Sequence, residues 1–300
     1  MDNNYHIPVL LDESIEGLNI KPQGIYVDVT FGGGGHSKAI INKLEDGKLI
    51  SFDQDSDSIE NIIQDDRFIF VNHNFKYLKN FLRYYGFEKV DGILADLGVS
   101  SHDFDVAERG FSFRFNGDLD MRMNQKGKLT AEAVINEYEE NELIRIFREY
   151  GEIDNARKVV SAIVKERQNK RILDTNSLTE ILRPLIPVKS ASKYLAQIFQ
   201  AIRIEVNKEL DTLKSFLEDA ADVLNPGGRL VIISYHSLED RLVKNFLNKG
   251  GFSGNVQLDF FGNKILKFKQ AGKKVVMPSG EEININPRAR SAKLRIAERI

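Results

Sequence analysis

The stretch Ile25-Tyr-Val-Asp-Val-Thr30, followed at once by Phe31-Gly-Gly-Gly-Gly-His36 and Ser37, decides how this chain is read. Its β-branched and aromatic residues predict a buried strand, and the amphipathic pattern from near Ser37 predicts a helix. The four glycines between them let the backbone turn sharply and let a ligand approach it closely. Working outward, 49–52 ending in Asp53, 68–71 ending in Asn72-His73-Asn74-Phe75, and 90–95 ending in Asp96 predict three more strands. Helices are expected over 56–64, with Ser56 or Asp57 near the N-cap, and over 75–85. Strand alternating with helix implies a parallel sheet with right-handed crossovers.

The rhythm breaks after Asp103. Helical patterns alone fill 131–150, 154–168, 176–183 and 190–203, punctuated by residues such as Pro184 and Pro187. Alternation resumes with a helix over 208–224, the turn Asn225-Pro-Gly-Gly228, a strand over 229–234, a helix over 238–247 and strands at 264–269 and 291–296. The expected fold class is α/β, a Rossmann-like sheet interrupted by an inserted all-α domain. Residues 1–103 and 205–300 would form the sheet domain and 104–204 the insertion, with a substrate cleft where they meet. No internal repeat or low-complexity segment is present.

Composition narrows the class. The chain has 300 residues, a formal net charge of −2, 42% hydrophobic and 29% charged residues, which excludes disordered and collagen-like chains. With 0 Cys there is no disulfide, thiolate metal site or thiol nucleophile, as a reducing compartment allows. No apolar run approaches the ~20 residues a bilayer needs, so a cytoplasmic protein without a membrane partner is expected. Residues 1–66 hold 4 Lys against 13 acids, whereas 264–300 hold 10 Lys or Arg against 3 Glu. Two ligands of opposite sign would explain this asymmetry, and so would two solvated faces.

The glycine run alone does not choose a ligand, and a tight turn would also explain it. A dinucleotide fingerprint starting at Gly32 needs glycine where Ser37 stands, and no phosphate-loop pattern occurs. Asp28, Asp53 and Asp96 lie within or just after strands, where parallel sheets bind ligands. Asp53 follows the glycines by about 20 residues, the distance at which a carboxylate meets ribose hydroxyls. Further carboxylates would repel a pyrophosphate and attract the ammonium and sulfonium of S-adenosylmethionine. Surface strand caps are the plainer alternative for the acids, as a core role is for Phe75, which would otherwise stack on adenine.

Further motifs run along almost the whole chain: His6-Ile-Pro-Val-Leu-Leu-Asp-Glu13, Phe31-Gly-Gly-Gly-Gly-His36-Ser37, Asp96-Leu-Gly-Val-Ser-Ser101, Glu108-Arg-Gly-Phe-Ser-Phe113 and Leu119-Asp-Met-Arg-Met123. Phe199-Gln-Ala-Ile-Arg203 with Val206-Asn207 and Glu209-Leu210, His236-Ser-Leu-Glu-Asp-Arg241 and Asn286-Pro-Arg-Ala-Arg-Ser291 complete the set. In these motifs the chain resembles the bacterial RsmH (MraW) type 16S ribosomal RNA cytosine-N4 methyltransferases. The resemblance implies a class I methyltransferase fold, S-adenosyl-L-methionine as methyl donor, and a cytidine in the decoding centre of the small ribosomal subunit as acceptor. Its cofactor contacts fall on Gly34, Gly35, His36, Asp53, Phe75 and Asp96, and a further one on Asp103, where the family usually has Gln. Asp118 stands where Pro is usual.

Methyl transfer from a sulfonium to an amine keeps the charge of the reacting pair constant. Positioning, worth up to ~7–11 kcal/mol, should therefore outweigh a proton acceptor, typically ~10²–10⁴-fold. Asp96 is the first candidate to accept a hydrogen bond from the amine; Ser234 and His236 are weaker catalytic candidates, and with Tyr235 would wall the base pocket. Single-stranded RNA recognition combines aromatic stacking with cations, which Arg109, Phe111, Phe113, Arg114 and Arg122 supply unless they form a hinge. Arg288, Arg290, Lys293 and Arg295 are expected as a basic stripe along one strand face, meeting phosphates. No metal is expected, since the 5 His form no i, i+4 pair. A homodimer stays open. The other readings are a ribosomal RNA binder with a structural cofactor, methylation of another acceptor, and a nicotinamide oxidoreductase.

Overall fold

Helices cover both faces of a parallel sheet, so its strands carry runs of apolar side chains rather than a clean alternation. The computed structural model describes residues 8–99, 101–186, 190–256 and 258–300. His6 and Ile7 of the first motif, Ser100 of the third, and Pro187 lie outside them. The chain forms two compact units, Met1–Gly98 with Leu210–Ile300, and Val99–Glu209.

In the first unit the strands are β1 (Ile25–Asp28), β2 (Lys48–Phe52), β3 (Phe68–Val71), β4 (Val90–Asp96), β5 (Leu224–Ser234), β6 (Phe268–Gln270) and β7 (Lys293–Arg299). They lie in the order β3-β2-β1-β4-β5-β7-β6. The first five are parallel, and β7 runs antiparallel to both of its neighbours. Chain progression reverses between β1 and β4, whose carboxyl ends therefore border the crevice where such sheets bind ligands. The expected α/β fold is the one observed.

Helices α1 (Leu11–Leu18), α2 (Gly35–Ile41) and α3 (Leu78–Tyr84) precede the second unit. That unit contains α4 (Ser101–Asp105), α5 (Ala131–Glu137), α6 (Glu140–Glu149), α7 (Ala156–Asn169), α8 (Thr175–Leu182) and α9 (Ala191–Asn207). After it come α10 (Glu209–Val223), α11 (Ser237–Lys249) and α12 (Gly280–Ile285). Successive strand residues face opposite ways. Ile93 thus joins a core with Phe52, Phe216 and Leu217, whereas Leu94 joins one with Leu10, Leu18 and Ile40. The second unit has its own core, built from residues such as Val134, Phe147, Val160 and Ile198. Among the described residues no helix is long and apolar enough to cross a membrane.

Several elements differ from the expectation. Residues 56–64 give only a short 3₁₀ helix, Ser56–Asn61, and its cap is Asp55, which accepts a hydrogen bond from Asp57 N. The expected helix over 131–150 breaks at Tyr138, whose extended backbone leads into a capping box between Glu139 and Glu142. β7 starts later than 291 because Pro287–Ser291 form a 3₁₀ turn, and β6 occupies only the end of 264–269 and one residue beyond.

Candidate active site

The turn after β1 is built around its own acids. Asp28, at the end of β1, is buried, and accepts hydrogen bonds from Ser37 Oγ at 2.7 Å and Thr30 N at 3.1 Å. Ser37 Oγ also lies 2.8 Å from Ser51 Oγ on β2, so residue 37 does its work as a serine where a dinucleotide fingerprint would need glycine. Gly34 has φ +76, the left-handed region that glycine enters without cost. A Cβ on Gly35 would stand 2.4 Å from Pro8 Cγ, so the close approach there requires glycine as well.

Asp53 faces this turn from the end of β2. Its Oδ2 accepts Gly32 N at 2.7 Å and its Oδ1 accepts Asp55 N at 2.8 Å. Burial pushes its carboxyl up to about 6; the two backbone bonds oppose that, and the charges of Asp55 and Asp28 add to it.

Asp96 closes β4 across the switch point. Thr30 Oγ1 accepts the Asp96 backbone N–H at 2.7 Å, and Tyr235 Oη donates to Asp96 Oδ1 at 2.8 Å. His36, itself buried, presents Nδ1 3.9 Å from Asp96 Oδ2. Its Nε2 lies 3.1 Å from the Val9 carbonyl, which only accepts and so assigns the ring hydrogen to Nε2. Burial pushes the Asp96 carboxyl up to about 7, the Tyr235 bond pulls it down, and the charges of Asp28 and Glu239 push it up. Asp28, Asp53 and Asp96 thus share one acidic field. That field fits a cationic, phosphate-free cofactor and opposes a diphosphate. The turn glycines, Asp53 and Asp96 would hold it.

The remaining candidates sort by what their side chains touch. Phe75 is half-buried, edge-on to Phe216 at 5.3 Å, with one face on the core. Ser234 does not wall a pocket with its hydroxyl: the side chain is buried and Oγ lies 3.4 Å from the Lys293 carbonyl of β7. Alternation along β5 turns Ser234 away and brings Tyr235 to Asp96. His236 caps α11: Nδ1 accepts Glu239 N at 3.4 Å, and the Glu239 carboxylate accepts the backbone N–H of Tyr235 and of His236. That is a scaffold geometry. The Thr30 hydroxyl carried no sequence expectation, and a threonine two residues past a buried strand aspartate was its only signal.

Asp103 belongs to the second unit, where its buried carboxylate pairs with Arg109 Nη1 at 3.0 Å. Arg109 also donates to the Arg122 carbonyl at 3.0 Å and lies over the Phe111 ring. This corrects the expectation that Arg109 and Phe111 meet RNA: both are buried, and Phe111 belongs to the core. Phe113 packs edge-on to Phe199 at 5.6 Å, and Arg122 forks onto both oxygens of Asp120. Arg114 is exposed. The expected stripe on one strand face is likewise corrected. Arg288 and Arg290 lie exposed on the 3₁₀ turn before β7, whereas Lys293 and Arg295 both bind Asp240.

Strand order, the glycine turn and the facing acids define a class I methyltransferase that uses S-adenosylmethionine. The MraW methylase family model matches residues 3–300, and the chain belongs to that family. It is 58% identical over 297 residues to ribosomal RNA small subunit methyltransferase H of Flavobacterium johnsoniae, covering 99% of this chain and 98% of that one. To the Phocaeicola vulgatus protein of the same name it is 57% identical over 296 residues, covering 98% and 97%. Among solved structures, an rRNA methylase from Streptococcus thermophilus aligns with a TM-score of 0.45 and 13% identity over 98% of this chain and 99% of that one.

Proposed function

We propose that this chain transfers a methyl group from S-adenosylmethionine to the exocyclic N4 of a cytidine in the decoding centre of 16S ribosomal RNA, acting on the small subunit in the cytoplasm. The observation that carries the chemistry is Asp96. It is a carboxylate at the switch point, held by Tyr235 and Thr30, with one oxygen facing His36 and a pKa near neutrality. The relatives' name supplies the ribosomal acceptor.

The bound cofactor supplies an electrophilic methyl group on a sulfonium. The protein's part is to orient the acceptor. Asp96 Oδ2 accepts a hydrogen bond from the cytosine amine and turns its nitrogen toward the methyl, while Tyr235 fixes Oδ1; the proton the nitrogen sheds on methylation passes to Asp96 or to water. Asp53 accepts the ribose hydroxyls, and Gly34 and Gly35 let the ligand lie against the backbone. The base must leave any stack to reach this point. The second unit, including exposed Arg114, and the Arg288–Arg290 turn contact the RNA.

Mass spectrometry of ribosomal RNA from cells with and without the gene tests this directly. One methyl on a decoding-centre cytidine N4 should vanish, and tritiated transfer to unmethylated small subunits should require Asp96. A chain that binds rRNA yet transfers no methyl would leave the cofactor a structural role.

A further inference from the structure

Between α11 and β6 the chain makes a turn, Leu258–Ile265, that contributes no residue to the candidate site described above. Phe260 is 98% exposed and Phe261 is 85% exposed, their rings edge-to-face at 5.6 Å. Beside them Leu258 and Ile265 are also exposed. Such surface costs free energy unless something covers it.

The turn is nonetheless well built. Asp259 N donates to Asn263 O at 2.8 Å and Gly262 N to Asp259 O at 3.1 Å, with Gly262 at φ +83. The Asp259 carboxylate accepts Phe261 N, Asn263 N and Asn263 Nδ2 at 2.9, 2.8 and 3.1 Å. Leu258 and Lys264 pair across its base. These hydrogen bonds fix the turn while its two aromatic rings stand in water.

Charge selects the partner. From Lys244 to Lys274 the sequence holds seven lysines and one acid, Asp259. Lys264, on the turn itself, is exposed. A protein covering the rings would have to desolvate its ammonium group, whereas a phosphate neutralises it. Rings that offer a face to any base, with a cation on the same turn, are the elements of sequence-tolerant single-strand RNA binding.

We propose that the turn Leu258–Ile265 is an accessory RNA-binding arm, with Phe260 and Phe261 stacking on unpaired bases and Lys264 meeting the adjoining phosphates. The inference rests on RNA being the substrate. Phe268, which follows the arm, pairs with Arg299 at the sheet end where β5 begins; Asp96 pairs with Ile233 at the other end. The arm thus enters the sheet opposite the chemistry and contributes to binding rather than to the methyl-transfer step.

The test uses the full chain. Phe260→Ala with Phe261→Ala, both solvent-exposed changes, should raise KM for unmethylated small subunits at least tenfold, leaving kcat and cofactor affinity unchanged. Because the chain has 0 Trp, Phe260→Trp places a single indole at the tip. Its emission should be quenched by a single-stranded RNA oligonucleotide, and this readout stands even if the small subunit proves not to be the acceptor. An unchanged KM, or an emission that ignores RNA, overturns the arm. So does an emission that responds to anionic phosphatidylglycerol vesicles and not to RNA, which would make the tip a membrane contact.

Discussion

Tyr235 Oη donates to Asp96 Oδ1 across 2.8 Å, joining the residue after β5 to the last residue of β4. The bond favours the carboxylate, whereas burial and the charges of Asp28 and Glu239 favour its protonated form; His36 Nδ1 faces the other oxygen, and Thr30 holds the backbone. Tyr235→Phe removes the lowering influence, so Asp96 should protonate at higher pH. The acid limb of methyl transfer should move up by about one unit, the equivalent of a hydrogen bond to a charge. Single-turnover rates from pH 5 to 9 measure it, and an unmoved limb would show that Tyr235 only packs.

Asp96→Asn keeps the size of the side chain and discards its charge, whereas Asp96→Ala discards both. Each should lower turnover by at least ~10²-fold while the variant still unfolds cooperatively. Near-wild-type rates from a folded variant would remove Asp96 from the chemistry.

Asp53 has a carboxyl raised to about 6, and the ribose hydroxyls of the proposed function would donate best to its ionised form. Cofactor affinity should therefore increase as pH rises from 5 to 7, and Asp53→Ala should weaken it about 10- to 100-fold. Stability of the free protein runs the other way. The raised values of Asp53 and Asp96 contribute stability that is full below about pH 4 and is lost as pH climbs through 6 to 7; Asp28, raised by burial, acts in the same direction. Calorimetric titration and thermal melts over the same range check both signs.

Gly34→Ala forces a Cβ into a left-handed backbone and to 3.0 Å from the Phe31 ring. The cost should be about 1–2 kcal/mol in urea unfolding. Gly35→Ala strikes Pro8 and should disturb cofactor binding more than Gly32→Ala, whose added carbon meets open space and whose cost is the left-handed backbone at φ +50 alone. Equal affinities for the two would show that the approach at Gly35 is not used.

Arg288→Ala with Arg290→Ala removes two exposed cations that precede β7. RNA affinity should fall, and the slope of log K against log salt should flatten by about 1.5, as for two lost phosphate contacts. A parallel line at lower affinity would place their effect elsewhere.

The local signals that survived folding were those with local causes. Glycine against a tight turn, an acid at a strand tip and alternation of apolar runs are constraints within a few residues, so β1 to β4 and the acids beside them could be read directly. Arg109 and Phe111 misled because aromatic and cationic side chains look alike in sequence whether they meet RNA or a buried carboxylate. Asp103 supplies that carboxylate, and no periodicity announces it. The Arg288–Arg295 stripe failed for a related reason: Pro287 starts a 3₁₀ turn and delays the strand.

Sequence by itself determined the order of strands and helices, the residues able to border a nucleoside, and the charge that refuses a diphosphate, since all follow from residue type and spacing. The tertiary structure alone decided which of those residues meet. It brought Tyr235 to Asp96 from 139 positions away, turned Ser234 toward β7 and left Phe260 and Phe261 in water. The register between distant strands and the closing of a turn depend on packing across the whole sheet, which no single stretch of chain encodes.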